Sequence, residues 1–150
     1  MKAVIQRVSE AKVSIEGTEK GQINAGLLVL LGIAPNDTLE DAVWLAQKLC
    51  QLRIFGDEEH KMNLSLQDIK GSILLISQFT LFAATKKGNR PSFLASAPPA
   101  MAIPLYESMI QILEKELPNR VQTGTFGADM QVSLVNDGPV TLIIDTKNKL

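Results

Sequence analysis

Gly26-Leu27-Leu28-Val29-Leu30-Leu31-Gly32-Ile33 is the stretch that decides the fold class. Its unbroken aliphatic run leaves no polar alternate for solvent and is too short to span a bilayer. Bounded by glycines, it reads as a strand buried on both faces, which needs covering layers on each side. Ile73 to Phe82, opening Ile73-Leu74-Leu75-Ile76, reads as another central strand. Nearer the N-terminus, Lys2 to Val8 and Ala11 to Glu16 are β-branched runs joined by Ser9-Glu10. That is a hairpin pattern, with Gln22-Ile23 extending it. After the central strand, Asn36-Asp37-Thr38 offers N-cap side chains. Leu39, Val43, Ala46 and Leu49 or Cys50 then recur at helical spacing to about Leu52. Ile103, Tyr106, Ile110, Leu113 and Leu117 mark a second helix stopped by Pro118; Pro104, with no N–H, sets its start or kinks it. Met130, Val132 and Leu134 alternate with Gln131 and Ser133, and Val140 to Ile144 follows, so the chain closes on strands. The pattern is one α/β domain over residues 1–150, with a mixed, largely antiparallel sheet and two main helices.

Composition narrows the function classes. The net charge is −1, from 15 basic and 16 acidic side chains, whereas a protein that coats duplex nucleic acid is normally basic. Any RNA substrate is therefore gripped strongly over only a small part. Cys50 is the only cysteine, which excludes a disulfide framework and a thiolate metal site. Met1-Lys2-Ala3-Val4-Ile5 lacks the long apolar stretch of a signal peptide, so a cytoplasmic protein with no membrane span is the expectation.

Acids, bases and nucleophiles are scarce. His60, the only histidine, lies in the charged loop Asp57-Glu58-Glu59-His60-Lys61, the setting of a solvated residue. Nothing places it beside a nucleophile, and one His with one Cys makes no zinc site, so no metal or cofactor is implied. Lys86, Lys87 and Arg90 belong to a basic loop, and Met62-Asn63 is either a turn or a pocket wall. Two polar segments remain. Ser77-Gln78-Phe79-Thr80 puts hydroxyl and amide groups into an apolar run, where each unpartnered group costs about 1–3 kcal/mol. That composition fits strand-end hydrogen bonding or an active site. Gly138-Pro139, in Asn136-Asp137-Gly138-Pro139-Val140-Thr141, joins the freest backbone to the most restricted and reads as a turn.

Along nearly its whole length the chain resembles the D-aminoacyl-tRNA deacylases. The motifs that carry the resemblance are those two segments together with Gln6-Arg7-Val8, Lys61-Met62-Asn63, Arg90-Pro91-Ser92-Phe93 and Thr123-Gly124-Thr125-Phe126-Gly127-Ala128-Asp129-Met130. The resemblance implies a barrel-like sheet and hydrolysis of the ester that joins an amino acid to the 3′-terminal ribose of tRNA. It implies that Ser77, Gln78, Phe79 and Thr80 floor the substrate pocket. It also implies that Gly138-Pro139 is a cis peptide crossing a homodimer interface into the partner's pocket. Arg7, Met62, Asn63, Phe126 and Met130 are then the substrate-binding residues, with Arg7, whose guanidinium offers five donors, the candidate for pinning the Gly138-Pro139 loop.

An aminoacyl ester is already activated, and a vicinal ribose hydroxyl can assist proton transfer. The protein then needs mainly to position the ester and stabilise the oxyanion, with the Phe79 and Thr80 N–H groups as candidates. Thr80 is the nucleophile by residue type, but no base in the sequence activates it. A wall of Gly138-Pro139 carbonyls beside the α-carbon admits a D-residue, excludes an L-residue by its β-carbon, and cannot refuse glycine. Two alternatives stand beside this reading: a hydrolase of another small ester using Thr80 as nucleophile, and a non-catalytic RNA-end binder with Phe126 and Met130 as an adenine slot.

Overall fold

The structure, a computed structural model, describes residues 1–150. The strands are β1 (Lys2–Ile15), β2 (Thr18–Ile23), β3 (Gly26–Gly32), β4 (Phe55–Gly56), β5 (Met62–Leu64), β6 (Ser72–Ser77), β7 (Val121–Thr123) and β8 (Gln131–Asp145). The helices are α1 (Leu39–Gln51) and α2 (Pro99–Glu116), and a 3₁₀ turn spans Phe79–Phe82. The main sheet runs β2-β1-β3-β6-β7, with β8 on the other side of β1, while β4 and β5 form a separate ribbon. All pairings of β1 are antiparallel; β3–β6 and β6–β7 are parallel. The sheet is thus mixed and largely antiparallel, as the sequence indicates.

One long strand organises this sheet. β1 pairs β3 over Lys2–Val8 and β2 over Ala11–Ile15, while β8 follows its opposite edge. β2 is carried round towards β7. A Cβ on Gly21 would sit 3.2 Å from the Thr123 carbonyl oxygen and 3.3 Å from Gln122 Cβ, a tight contact that glycine relieves in this near-closure into a barrel. β3 is buried on both faces. Leu27, Val29 and Leu31 join the main core beneath the helices, while Leu28 enters a smaller core inside the curl with Val8, Val13, Leu74 and Ile76. β6 splits its side chains in the same way. Such aliphatic side chains each contribute about 1.5–3 kcal/mol on full burial.

Several local readings of the sequence are corrected. Ser9-Glu10 is no turn: β1 runs through it, and both residues face solvent where the β1–β8 register shifts. The first hairpin turns at Glu16-Gly17, both at positive φ (+50° and +78°), which matches the twist of a two-residue loop. The 131–134 and 140–144 segments belong to one strand, β8, and Met130 lies just before it. The 73–82 run ends as strand at Ser77, and the polar residues that follow turn out of the sheet. In α1 the buried stripe is Asp41, Ala42, Leu45, Ala46, Leu49 and Cys50, whereas Leu39 and Val43 are exposed. The stripe with the two alanines packs into the core that α1 shares with α2, and that docking leaves Leu39 and Val43 outside it. α2 starts at Pro99, where a missing N–H costs nothing, and carries Pro104 in its interior rather than at its start.

Candidate active site

The last β6 residue pairs Ser77 with Leu31, and the Gln78 N–H then donates to the Leu31 carbonyl at 2.7 Å. The 3₁₀ turn begins at the next residue. The first amides of such a turn, Phe79 and Thr80, have no acceptor within it. Gln78 Nε2 donates to Thr80 Oγ1 at 2.5 Å, which fixes the hydroxyl as an acceptor and supplies no base. Phe79 is 55% exposed and meets Phe93 edge to face, with centroids 5.1 Å apart.

Ser77, Gln78 and Phe79 line a cleft of about 220 Å³ together with Ile76, Phe126 and Met130. Phe126 rests on Tyr106, with centroids 5.6 Å apart, and Tyr106 donates its hydroxyl to the Leu75 carbonyl at 3.1 Å. Burial pushes the Tyr106 phenol up to about 12, so it remains a neutral donor behind the cleft. None of the 14 lining residues is titratable, so chemistry here rests on main-chain donors, hydroxyls and the substrate's own groups.

A second group of motif residues lies elsewhere. Val8 pairs Asn136 and Gln6 pairs Thr141, so Asp137 to Val140 bulge opposite the single residue Arg7. Asn136 ties the base of the bulge, accepting from the Val140 N–H and donating to Thr141 Oγ1, each at 2.9 Å. Arg7 Nε donates to the Asp137 carbonyl at 2.9 Å and Nη1 to the Ile54 carbonyl at 2.6 Å. Gly138 sits at φ +138°, and a Cβ there would lie 2.9 Å from Arg7 Nη2, so the position accepts only glycine. The Gly138–Pro139 peptide is cis, and both residues are exposed. Met62 and His60 border a shallow hollow with Arg7 and Asp137, while Asn63 is held by the Arg53 guanidinium through its carbonyl and side-chain amide oxygens.

The sequence-derived site residues therefore separate. Ser77, Gln78, Phe79, Phe126 and Met130 share the cleft, with Thr80 bonded to its rim; Arg7, Met62, Asn63, Gly138 and Pro139 do not. The register Arg7–Leu27–Ile73 against Leu31–Ser77 sets the groups four residue steps apart, about 13 Å along the sheet. Sequence reading missed Ser96, Ala97 and Ala102, which also line the cleft. Small residues in an Ala/Ser/Pro stretch carry no chemical signature, and only the path of the chain brings them there.

The D-Tyr-tRNA(Tyr) deacylase family model matches residues 4–145. Proteins named D-aminoacyl-tRNA deacylase from Cytophaga hutchinsonii and Flavobacterium johnsoniae are 60% and 55% identical, over 99% of this chain and 99% of theirs. A solved structure titled c-Myc DNA Unwinding Element Binding Protein superposes with TM-score 0.91 at 41% identity, covering 97% of this chain and 98% of that one. A probable eukaryotic D-amino acid tRNA deacylase superposes with TM-score 0.79 at 18% identity over 95% and 97%, a likeness of fold. No helix is long and apolar enough to cross a membrane. Identity this high, sustained from end to end, exceeds what a shared barrel-like fold requires, and the chain belongs to the D-Tyr-tRNA(Tyr) deacylase family and is an enzyme of the hydrolase class.

Proposed function

We propose that this enzyme, a D-aminoacyl-tRNA deacylase, acts in the cytoplasm as a homodimer. It hydrolyses the ester of D-aminoacyl-tRNA, and of glycine mischarged on tRNA, in a cleft floored by Ser77, Gln78, Phe79 and Thr80 and completed by Gly138-Pro139 of a second copy. The observation that carries this reading is the separation of the motif residues into two groups too far apart to meet within one chain. β8 supports it as well: it pairs only with β1, and Val135 and Ile143 on either side of the bulge are 49% and 77% exposed. A long half-paired strand with exposed apolar residues suits a two-fold contact.

In this reading the Phe79 and Thr80 N–H groups take the developing oxyanion, and Phe126 and Met130 hold the terminal adenine. The vicinal ribose hydroxyl moves the proton, because no protein base lines the cleft. Gln78 holds the Thr80 hydroxyl in place as a positioning group. The partner's Gly138 and Pro139 carbonyls receive the substrate ammonium and crowd the α-carbon on the side where an L-residue carries its β-carbon. Met62 and Asn63 buttress that wall beside Arg7.

The test is release of free amino acid from matched tRNAs charged with D-tyrosine, L-tyrosine or glycine. D-tyrosyl and glycyl esters are hydrolysed and the L-ester survives. Equal hydrolysis of the D- and L-esters would defeat the chirality mechanism, and no release from any of them would defeat the enzymatic reading.

A further inference from the structure

Between Asp68 and Glu107 the chain carries no carboxylate. The charged side chains there are Lys70, Lys86, Lys87 and Arg90, in a protein whose net charge is −1. The same segment supplies Ser77, Gln78, Phe79, Ser96, Ala97 and Ala102 to the cleft. Lys86, Lys87 and Arg90 gather in the loop 85–91, closed at its base by Ala84 and Ser92, whose main chains exchange hydrogen bonds of 2.8 and 3.0 Å. Gly88, at φ +71° with open space where a Cβ would stand, turns the tip, and Pro91 stiffens the returning limb. All three cations are exposed, and none has a carboxylate within 4.0 Å, whereas Arg7, Lys61 and Lys147 each do.

The loop is rooted at the mouth of the cleft. Its returning limb runs into Phe93, whose ring meets that of Phe79 edge to face. Its outgoing limb leaves the 3₁₀ turn through Ala83, whose N–H donates to the Thr80 carbonyl at 3.1 Å. Three residues on each limb reach about 10 Å beyond such a root. No residue of 85–91 pairs with β1 or β8, so the loop lies off the strand face proposed for the two-fold contact.

We infer that this loop grips the phosphate backbone of the tRNA 3′ strand, at the nucleotides just before the esterified adenosine. The inference rests on the deacylase reading, since the ester in the cleft is what ties a polyanion to its mouth. The cleft itself has no titratable lining residue, so it holds base, ribose and ester but cannot neutralise a phosphate. The loop supplies that missing charge, with cations on both limbs that a phosphate chain can neutralise together. It has no aromatic residue on which a base could stack, so its contacts position the strand without reading its sequence. An acidic peptide or a lipid surface would meet the same charges, but neither is joined to an ester in the cleft.

The experiment compares the wild-type enzyme with Lys86→Gln/Lys87→Gln and with Lys86→Arg/Lys87→Arg. Each is assayed on D-tyrosyl-tRNA and on D-tyrosyl-adenosine, which carries no phosphate. For the glutamine variant KM on the tRNA rises about tenfold at about 50 mM salt, with kcat little changed. The dependence of log kcat/KM on log salt becomes shallower by about 1.4, the contribution of two phosphate contacts to a single strand, so the deficit narrows about sevenfold by about 200 mM. On D-tyrosyl-adenosine its kcat/KM shifts less than about twofold, and sedimentation finds the same mass as for wild type. The arginine variant, which keeps both charges, stays within about twofold of wild type on the tRNA. Equal losses on both substrates, an unchanged KM for the tRNA, an arginine variant as impaired as the glutamine one, or loss of the wild-type oligomer overturns the inference. If wild type cleaves neither substrate, the deacylase reading fails and this inference falls with it. Activity of wild type on both, with no effect of the lysines on the tRNA, leaves that reading standing and removes only this one.

Discussion

Thr80 and Arg7 show how far single residues carry the argument. Thr80 has the right atom for a nucleophile but the wrong neighbours: its oxygen accepts from Gln78, and the cleft holds no base. Thr80→Ala therefore keeps activity within about tenfold of wild type in a single-turnover assay. A tRNA ending in 2′-deoxyadenosine loses more, and a fall of ~10⁴-fold for Thr80→Ala would establish covalent catalysis instead. Arg7 spans two segments distant in sequence, holding the Asp137 and Ile54 carbonyls. Its side chain is 15% exposed, so Arg7→Ala leaves two carbonyls without donors and frees the bulge that bears Gly138 and Pro139. A displacement of about 1 Å there costs on the order of 100-fold in D-substrate turnover. The ratio of D- to L-hydrolysis falls with it, while far-ultraviolet circular dichroism stays as in wild type.

Among the elements, α1 illustrates how a buried charge serves a helix terminus. The Asp41 carboxylate accepts from the Thr38 N–H at 2.8 Å and from its hydroxyl at 3.1 Å, and Lys147 reaches it from the C-terminal segment at 2.6 Å. Burial alone would raise the Asp41 carboxyl, but the Lys147 ammonium and the Thr38 donors outweigh it and hold the group below the usual carboxylate range. A carboxyl depressed on folding contributes stability that is complete above its unfolded value near pH 4 and is lost as pH falls through the folded value. Asp41→Ala should cost about 2 kcal/mol, lowering Tm by about 4–8 °C at pH 7. The difference from wild type should narrow as pH drops below about 4. Lys147→Ala, which removes a side chain that is itself 40% exposed, should cost less than about 1 kcal/mol. Calorimetry of the three proteins at pH 7 and pH 3 checks both statements.

At the level of the whole molecule, the proposed shared site makes a quantitative mixing prediction. A Phe126→Ala chain has a damaged cleft and a sound bulge, and an Arg7→Ala chain has the reverse. Unfolding and refolding an equal mixture gives half heterodimers, each with one intact composite site of two, so activity should recover to about a quarter of wild type. Either variant refolded alone should stay at its own low level. Absence of recovery, in a mixture shown by mass spectrometry to contain heterodimers, would mean that each chain builds its site unaided.

The sequence by itself determined the layer arrangement, because five aliphatic residues from Leu27 to Leu31 admit no exposed face. It also determined which segments hold the motifs, because Ser77 to Thr80 and Asn136 to Thr141 place polar or conformationally extreme residues where a regular strand tolerates neither. It could not determine that Ser9-Glu10 continues a strand, because a polar pair at a bulge and a polar pair in a turn have the same composition. The helix stripe escaped it too, since Leu39 and Val43 match the period as well as Ala42 and Leu45 do, and only docking into the core shared with α2 chooses between them. That Arg7 holds the Gly138-Pro139 loop is expected from the sequence; tertiary structure alone decided that this pair lies away from Gln78. Registers across β1, β3 and β6 set that distance, and register is a property of paired strands that no single segment contains.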